Sequence, residues 1–523
     1  SFASIKFISA DLYKTSDLYN TTTSAYLDAN RDTVNFSKQI RENHTKRKQS
    51  DNQLTYKQLF KKKDRLWLTT VRFGYVEDQQ NGIIKTNTNF YKNGVIDSID
   101  ILDQMKVFNG DSRTFGIKST FSEPFSPKVS LVVDYAYNQN NSNSNRQTLN
   151  KDLSGKYSEL DPVYSNNFDL NAFSNSGSAI LKYMSKKLRF SAGSGISDVR
   201  LKLFNRYNNV RNQYDFLNFT PQAQVSYTFK PQSRMSFNYR GTTEQPNINQ
   251  LQPVSDNSDP LNVFVGNPNL KVGFKHDLSI TVSQFKVLSG TGFWLNFGTE
   301  MLNNAIANYN LLDTATGKQI YSPVNMNGNS SWYFYGNLFK QAEKKLSRGF
   351  ELNGNGGRSV NFLNGERNVT NYFSINTGPY LGYDKPDKFN FNFSPRIAYN
   401  STVSSLQANN KTNYFNYGLN MNLYVAISKK YEFNTDMNAD FQQRINQFSP
   451  GLNIVVWNAS FARKVFKDKS GKIIIVANDI LDQNKGFNRT INSNFIQEDR
   501  YSKISRYFLL KFEWTFNKMP GSK

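Results

Sequence analysis

The chain has 523 residues and a formal net charge of +23, from 64 Lys and Arg against 41 Asp and Glu. It has no Cys and two His, which excludes disulfide scaffolds, Cys-based zinc sites and iron–sulfur clusters and nearly excludes a multi-His metal centre. The longest apolar run, at 473–477, is far shorter than the about 18 residues of a membrane-spanning helix, so helical membrane proteins are excluded too.

In chain order, the alternation of apolar and polar residues predicts strands throughout. The first half gives strands near 2–10, 52–61, 65–76, 112–122, 127–139, 173–185, 187–205, 214–229 and 233–242, with room for one more hairpin in 11–50. About eleven further strands follow between 272 and 516. The total is about 20–22, and even numbers are the rule for single-chain bacterial barrels.

The period of two is clearest in the C-terminal third, where each strand has one apolar and one polar side. The apolar set is predicted to face lipid and includes Phe391, Phe393, Leu423, Phe512 and Trp514. The opposite set is predicted to face a water-filled lumen and includes Arg396, Glu432, Asp436, Asp440 and Arg444. Glu432, Asp436 and Asp440 are spaced i, i+4, roughly 13 Å on a strand, which is too far for a paired acid–base site.

The joins between strands alternate in length. Short joins such as 230–233, 385–387 and 428–430 alternate with long ones at 140–172, 242–270, 309–328 and 484–500. Short periplasmic turns and long extracellular loops are typical of outer-membrane barrels, and only a closed sheet pairs every backbone group in lipid. We therefore predict an all-β fold, a transmembrane antiparallel up-and-down β-barrel forming a single domain over 1–523; a soluble all-β protein is the alternative.

Two segments carry a family resemblance. They are QPNINQLQPV at 245–254 and GNPNLK at 266–271, and the C-terminal stretch 478–517 adds to them. Over about 112–517 the chain resembles the TonB-dependent receptor barrels, in particular their Bacteroidetes outer-membrane branch. The resemblance implies a structural role, or ligand or partner contacts, for Gln250, Pro253, Asp256, Asp259, Asn267, Pro268 and Asn269. Such receptors also carry an N-terminal plug and a TonB box, and residues 1–60 are not expected to supply either.

Two functions follow from the resemblance. The first is uptake of a scarce solute across the bacterial outer membrane, with TonB as partner if a plug exists. The second is a plugless accessory subunit of an outer-membrane machine for barrel assembly, protein secretion or surface-lipoprotein handling, with the other subunits as partners. Outer-membrane lipid is a partner in both. No cofactor, metal site, enzyme activity or nucleic-acid partner is expected, because no Walker A, G-x-S-x-G or RNA-binding motif is present.

The positive charge has a pattern of its own, because lysines recur in the short joins. They lie at 61–63, 186–187, 344–345, 429–430 and 467–472. These lysines are predicted to form a basic collar that contacts anionic lipid headgroups or an acidic partner. The alternative is that they only keep the turns soluble.

Overall fold

A computed structural model describes residues 2–28, 30–207, 209–252, 255–256, 259, 261–341, 345–407, 412–445, 453–467, 469–491 and 496–515. The strands are β1 (Phe2–Leu27), β2 (Thr33–Leu59), β3 (Leu66–Lys92), β4 (Val95–Pro124), β5 (Val129–Lys151), β6 (Tyr157–Leu160), β7 (Asn166–Met184), β8 (Leu188–Asn205), β9 (Val210–Phe219), β10 (Gln222–Lys230), β11 (Ser233–Glu244), β12 (Ser255–Asp256), β13 (Asn262–Val265), β14 (Gly273–Lys286), β15 (Thr291–Asn303), β16 (Ala305–Leu312), β17 (Gln319–Met326), β18 (Asn329–Gln341), β19 (Leu346–Leu363), β20 (Glu366–Lys385), β21 (Phe389–Ser404), β22 (Thr412–Ala426), β23 (Tyr431–Gln442), β24 (Asn453–Val465), β25 (Gly471–Asn478), β26 (Gly486–Ile491), β27 (Ile496–Tyr501) and β28 (Tyr507–Trp514). One helical turn, α1 (Ile248–Leu251), and one 3-10 turn, Ser405–Gln407, complete the described elements.

The main sheet is an antiparallel meander in which each long strand pairs with the next along the chain. β8 pairs with two consecutive pieces, β9 near the loops and β10 near the turn, which together fill one place in the sheet. β6, β12, β13, β16, β17, β26 and β27 belong to the loops, which leaves twenty places from β1 to β28. β1 and β28 are the two edges of the sheet, and their described residues do not pair with each other. The predicted all-β fold and strand number are confirmed. None of the described helices is long and apolar enough to cross a membrane.

The first strands are much longer than their sequence pattern predicts. β1 to β5 have 26, 27, 27, 30 and 23 residues. Much of the segment 140–172, predicted as a loop, is β5 and β7. The loop-end parts of these strands carry polar side chains that form hydrogen bonds across the ladder. Examples are the Ser37 and Thr88 hydroxyls at 2.9 Å and the Gln104 and Asn150 amides at 2.8 Å. A strand needs only its backbone ladder and compatible cross-strand pairs, so a search for apolar alternation misses these parts.

The cross-strand register keeps the two sets of side chains on opposite faces of the sheet. Phe391 lies opposite Leu423, and Phe512 lies opposite Ile473. We call the face that carries Phe391 the apolar face, and the face that carries Arg396 the polar face. The register from β8 to β23 places Leu201 on the polar face.

Several glycines let a large side chain on the neighbouring strand lie flat against the sheet. A Cβ on Gly354 would stand 2.3 Å from the Phe334 ring. A Cβ on Gly418 would stand 2.3 Å from Nε of Arg396. Both contacts are possible only because glycine has no side chain.

Candidate functional site

The loop between β11 and β14 folds back onto the polar face of the sheet. Asn247 and Gln250 form a reciprocal capping box at the start of α1, each side chain accepting the other's backbone N–H at 3.0 Å. This cap fixes Leu251, which is completely buried, in a cluster whose other buried members are Leu201, Phe216 and Leu270. Apolar burial therefore holds this loop against the wall formed by β8 and β9.

A second loop, between β15 and β18, forms the hairpin of β16 and β17, whose tip is residues 313–318. We call β16, β17 and this tip the crossing hairpin. β17 pairs in parallel with β13, with Asn262 opposite Gln319. β16 pairs in parallel with the loop end of β19, with Tyr309 opposite Phe362. The two loops thus make a small sheet of their own at the loop end.

The tip of the crossing hairpin reaches β2, β3 and β4, at the far end of the meander from β19. Nζ of Lys318 lies 2.9 Å from Oδ2 of Asp100 and 5.2 Å from the centre of the Phe90 ring. The Asn35 side-chain amide donates to the Thr316 carbonyl at 2.6 Å. Asn35 pairs with Phe90 in the ladder, and the register places both, with Asp100, on the polar face. The hairpin therefore crosses the space that the polar face lines.

The tip is a tight turn built around Asp313. The Thr316 hydroxyl and the Ala315 backbone N–H both donate to its carboxylate, at 2.6 and 2.9 Å. These hydrogen bonds, that of Thr316 first, lower the pKa of the Asp313 carboxyl. The turn is thus held by the ionised form of Asp313.

Asparagine side chains join the loop segments by imitating a peptide group. Asn325 accepts from the Lys271 backbone N–H at 2.7 Å and donates to its carbonyl at 2.8 Å. Asn364 does the same with Leu312, at 2.7 and 3.0 Å. An amide offers both a donor and an acceptor, so it can pair with a strand edge that the backbone leaves open. This use accounts for part of the high Asn content, 68 residues in 523.

Gln250, Asp259 and Asn267, three of the residues named by the family resemblance, make side-chain hydrogen bonds in these loops. Gln250 caps α1, and Asp259 accepts from the Leu261 N–H at 3.0 Å. Asn267 donates to the Pro323 carbonyl and accepts from the Asn269 N–H, both at 3.0 Å, with Pro268 exposed in the turn between them. Asp256 belongs to β12, and Pro253 lies outside the described residues.

Four of the charged residues predicted for the lumen, Arg396, Glu432, Asp436 and Asp440, share the polar face, but their contacts are separate. Arg396 crosses Gly418 to bond the Asp440 carboxylate. Asp436 accepts from the Asn458 amide at 2.8 Å. Arg444 is exposed beyond the end of β23.

Glu432 is buried by partners that the sequence did not indicate. Lys464 and Lys472 lie 2.5 and 2.8 Å from its carboxylate, and the Tyr424 hydroxyl donates to it at 3.0 Å. These partners come from neighbouring strands, so only the register could have revealed them.

The five residues predicted to face lipid all lie on the apolar face. Phe391 and Phe393 stack with centroids 6.4 Å apart, and Leu423 is opposite Phe391. Phe512 and Trp514 pack against the Phe466 ring at 6.2 and 5.7 Å. Within the described residues, no group of three or more His, Asp or Glu is placed to hold a metal ion.

Many solved structures are similar to this chain, and three of them, all at low identity, serve as examples. They are the siderophore receptor PirA from Pseudomonas aeruginosa (11% identity, TM-score 0.38, 83% of this chain and 75% of that one), the copper transporter OprC (10%, 0.41, 98% and 83%) and the unliganded ferric citrate transporter FecA (10%, 0.41, 98% and 78%). No curated protein matches the sequence.

The model of the outer membrane protein beta-barrel family matches residues 68–394, more than half of the chain. The sheet described above has the strand content, the meander and the alternation of short turns and long loops that such a barrel requires. The chain therefore belongs to the outer membrane protein beta-barrel family, and its place is the bacterial outer membrane.

Proposed function

We propose that this barrel takes up a solute from the extracellular side and that the crossing hairpin controls entry to the lumen. The observation that carries the proposal is the attachment of the hairpin tip to the opposite wall, through Lys318 to Asp100 and Thr316 to Asn35. A barrel of twenty strands encloses a wide lumen, which is an open pore unless something crosses or fills it. Uptake as in the TonB-dependent receptors that the sequence resembles would make the hairpin part of the solute-binding mouth.

The contacts at the tip suit a part that opens and closes. The Lys318–Asp100 pair is half exposed, with side chains 44% and 49% accessible, and exposed ion pairs contribute only about 0.2–1 kcal/mol. The base of the hairpin is held more firmly, because Ala305 and Met326 are buried and the Asn325 amide binds the Lys271 backbone. A weak tip on a firm base allows the tip to leave the far wall while the base stays in place.

The absence of native Cys makes a direct test simple. The pair Lys318→Cys and Asp100→Cys is joined by a cleavable bismaleimide, and liposome swelling is measured with sucrose and with stachyose. We expect the cross-link to slow swelling and its cleavage to restore the rate, while neither single variant treated with the reagent swells more slowly than the wild type. Equal rates before and after cleavage would show that the hairpin does not control entry.

The second candidate is an accessory subunit, favoured by the length of β2 to β4. A bilayer crossing takes about 9–11 residues, so more than half of each of these strands stands outside the membrane. Such walls offer a large polar surface to other proteins. A native pull-down from outer membranes separates the candidates: a stable complex of several subunits, together with unchanged swelling in the cross-linked variant, favours the accessory role.

A further inference from the structure

We propose that Lys286, Lys340 and Arg348 form a binding site for the phosphate of an anionic phospholipid in the periplasmic leaflet. The inference is independent of solute uptake and rests on the position of the barrel in the outer membrane. Three features of the described residues carry it, namely their register, the apolar row beside them and their unbalanced charge.

The register brings the three cations together at the turn end of neighbouring strands. Thr291 of β15 lies opposite Lys286 of β14 on one side and opposite Lys340 of β18 on the other. Lys340 in turn lies opposite Arg348 of β19. Adjacent strands are about 4.8 Å apart, so the three cations lie within roughly 15 Å along the edge of the sheet. Directly opposed residues point to the same face, so all three side chains project from one surface.

That surface is the apolar face, because the next row toward the loops is apolar. Two residues further along each strand, Phe293 lies opposite Leu338, and Leu338 lies opposite Phe350. Leu338 and Phe350 are 56% and 44% exposed. The cations therefore stand where a lipid-facing surface ends and the periplasmic turns begin. A phospholipid has the same order of parts, acyl chain and then phosphate.

Among the residues that the structure describes, no carboxylate balances the charge of these three side chains. All three are exposed, and none forms an ion pair with a carboxylate in the part of the chain that the structure describes. Glu351, the nearest carboxylate along β19, is on the polar face and accepts there from Asn337 and Tyr335.

Four other turn-end cations differ in this respect, because they have carboxylate partners. Lys62 and Arg65 form ion pairs with Glu123, and Lys464 and Lys472 form ion pairs with Glu432. Lys286, Lys340 and Arg348 thus remain available to an external anion. A guanidinium can grip a phosphate with two parallel hydrogen bonds, and two ammonium groups beside it add charge.

An acidic protein is a weaker match than a lipid. A protein docked against these cations would also have to cover the exposed Leu338 and Phe350, which lie at the height where lipid surrounds the barrel. A lipid covers the apolar row and neutralises the cations at the same time. The site thus selects for a headgroup with a net negative charge, such as phosphatidylglycerol, over a zwitterionic one such as phosphatidylethanolamine.

The test is native mass spectrometry of the detergent-purified barrel after addition of equal amounts of phosphatidylglycerol and phosphatidylethanolamine. The variant K286Q/K340Q/R348Q is compared with K186Q/K187Q/K429Q, which removes three exposed turn lysines and the same charge. We expect the first variant to lose the preference for phosphatidylglycerol roughly tenfold and the second to keep it. Circular dichroism confirms that both variants are folded.

Three results would overturn the proposal. One is undiminished preference in K286Q/K340Q/R348Q. Another is an equal loss in both triple variants, which would mean that diffuse charge, not this site, attracts lipid. The third is loss of an acidic protein from native pull-downs of K286Q/K340Q/R348Q with lipid binding intact, which would make the surface a protein-docking site. The single variant Arg348→Lys is an intermediate case, because its ammonium keeps the charge but cannot form the bidentate hydrogen bond. We expect it to retain part of the preference for phosphatidylglycerol.

Discussion

Nζ of Lys318 and Oδ2 of Asp100 lie 2.9 Å apart, although 218 residues separate them in the chain. The contact joins the tip of the crossing hairpin to β4, whereas the base of the hairpin stands beside β19. With the hydrogen bond from Asn35 to Thr316, this contact joins the loop between β15 and β18 to the first strands of the meander across the polar face.

Lys318→Gln should free the tip of the crossing hairpin while leaving the sheet intact. The pair is half exposed, so its loss should cost only about 0.2–1 kcal/mol of global stability. The tip should be affected more than the fold, and chymotrypsin, which has Tyr and Leu sites there, should cut residues 305–326 faster. Lys156→Gln is the matched control, because Lys156 is an exposed loop lysine without an ion pair among the described residues. Unchanged cleavage in Lys318→Gln would show that the ion pair does not hold the tip.

Asn325→Ala should loosen the base of the hairpin. The substitution removes the amide that bonds the backbone N–H and carbonyl of Lys271. Both hydrogen bonds are exposed to water, so the loss of each should cost about 0.5–1.5 kcal/mol. Trypsin cleavage after Lys318 should accelerate more than in Asn20→Ala, whose side chain bonds only Thr22 at the surface of β1. A similar rate in the two variants would contradict the clamp.

Acidification should release the turn at the tip. The pKa of Asp313 is lowered by its hydrogen bonds, so its stabilising effect is complete above the ordinary pKa of about 3.9 and is lost as the pH falls from there through the lower pKa of the folded state. A nitroxide on Thr314→Cys should become more mobile below about pH 4 in electron paramagnetic resonance spectra. Adding Asp313→Asn should make the label mobile at every pH. A pH dependence that survives Asp313→Asn would assign the change to another group.

Much of this architecture could be predicted from the sequence. The period of two in β21 and β23 predicted which residues share a face, because apolar and polar residues alternate along most of each strand. The same rule failed in β1 to β5, whose upper parts alternate polar with polar. It also could not reveal that Glu432 pairs with Lys464 and Lys472 while Asp440 pairs with Arg396, because those partners depend on which strands become neighbours. The attachment of the crossing hairpin to the far wall could not be predicted for the same reason, since the contacts of its tip are more than 200 residues away in the chain.

Gly418→Ala should displace Arg396 from Asp440. The new Cβ would occupy the path of the guanidinium, which must turn away and lose its partner. In a double-mutant cycle, Gly418→Ala and Asp440→Asn should therefore couple by about 0.5 kcal/mol or more. The matched cycle with Asp436→Asn should be additive, because Asp436 bonds Asn458. Additivity in both cycles would mean that the Arg396–Asp440 bond contributes nothing.

Gly354→Ala should destabilise the barrel by about 1–3 kcal/mol, the usual cost of overpacking. Its Cβ would meet the Phe334 ring at 2.3 Å, and the ring would have to leave its place against the sheet. Gly177→Ala is the control, because a Cβ there meets only the Asp134 carbonyl, at 3.9 Å. Urea unfolding in lipid vesicles measures both. Equal midpoints would show that the ring moves without cost.

The unequal strand lengths tilt the opening of the barrel. Both β4 and β23 have one end at a short turn, yet β4 has 30 residues and β23 has 12. At about 3.3 Å per residue the difference in contour is roughly 60 Å, twice the thickness of the hydrocarbon core. The flank that contains β4 therefore extends as a wall far above the cell surface, whereas the flank that contains β23 ends near the lipid headgroups. A molecule that diffuses along the cell surface toward the β23 flank reaches the mouth directly, whereas one arriving at the β4 flank must first pass over that wall.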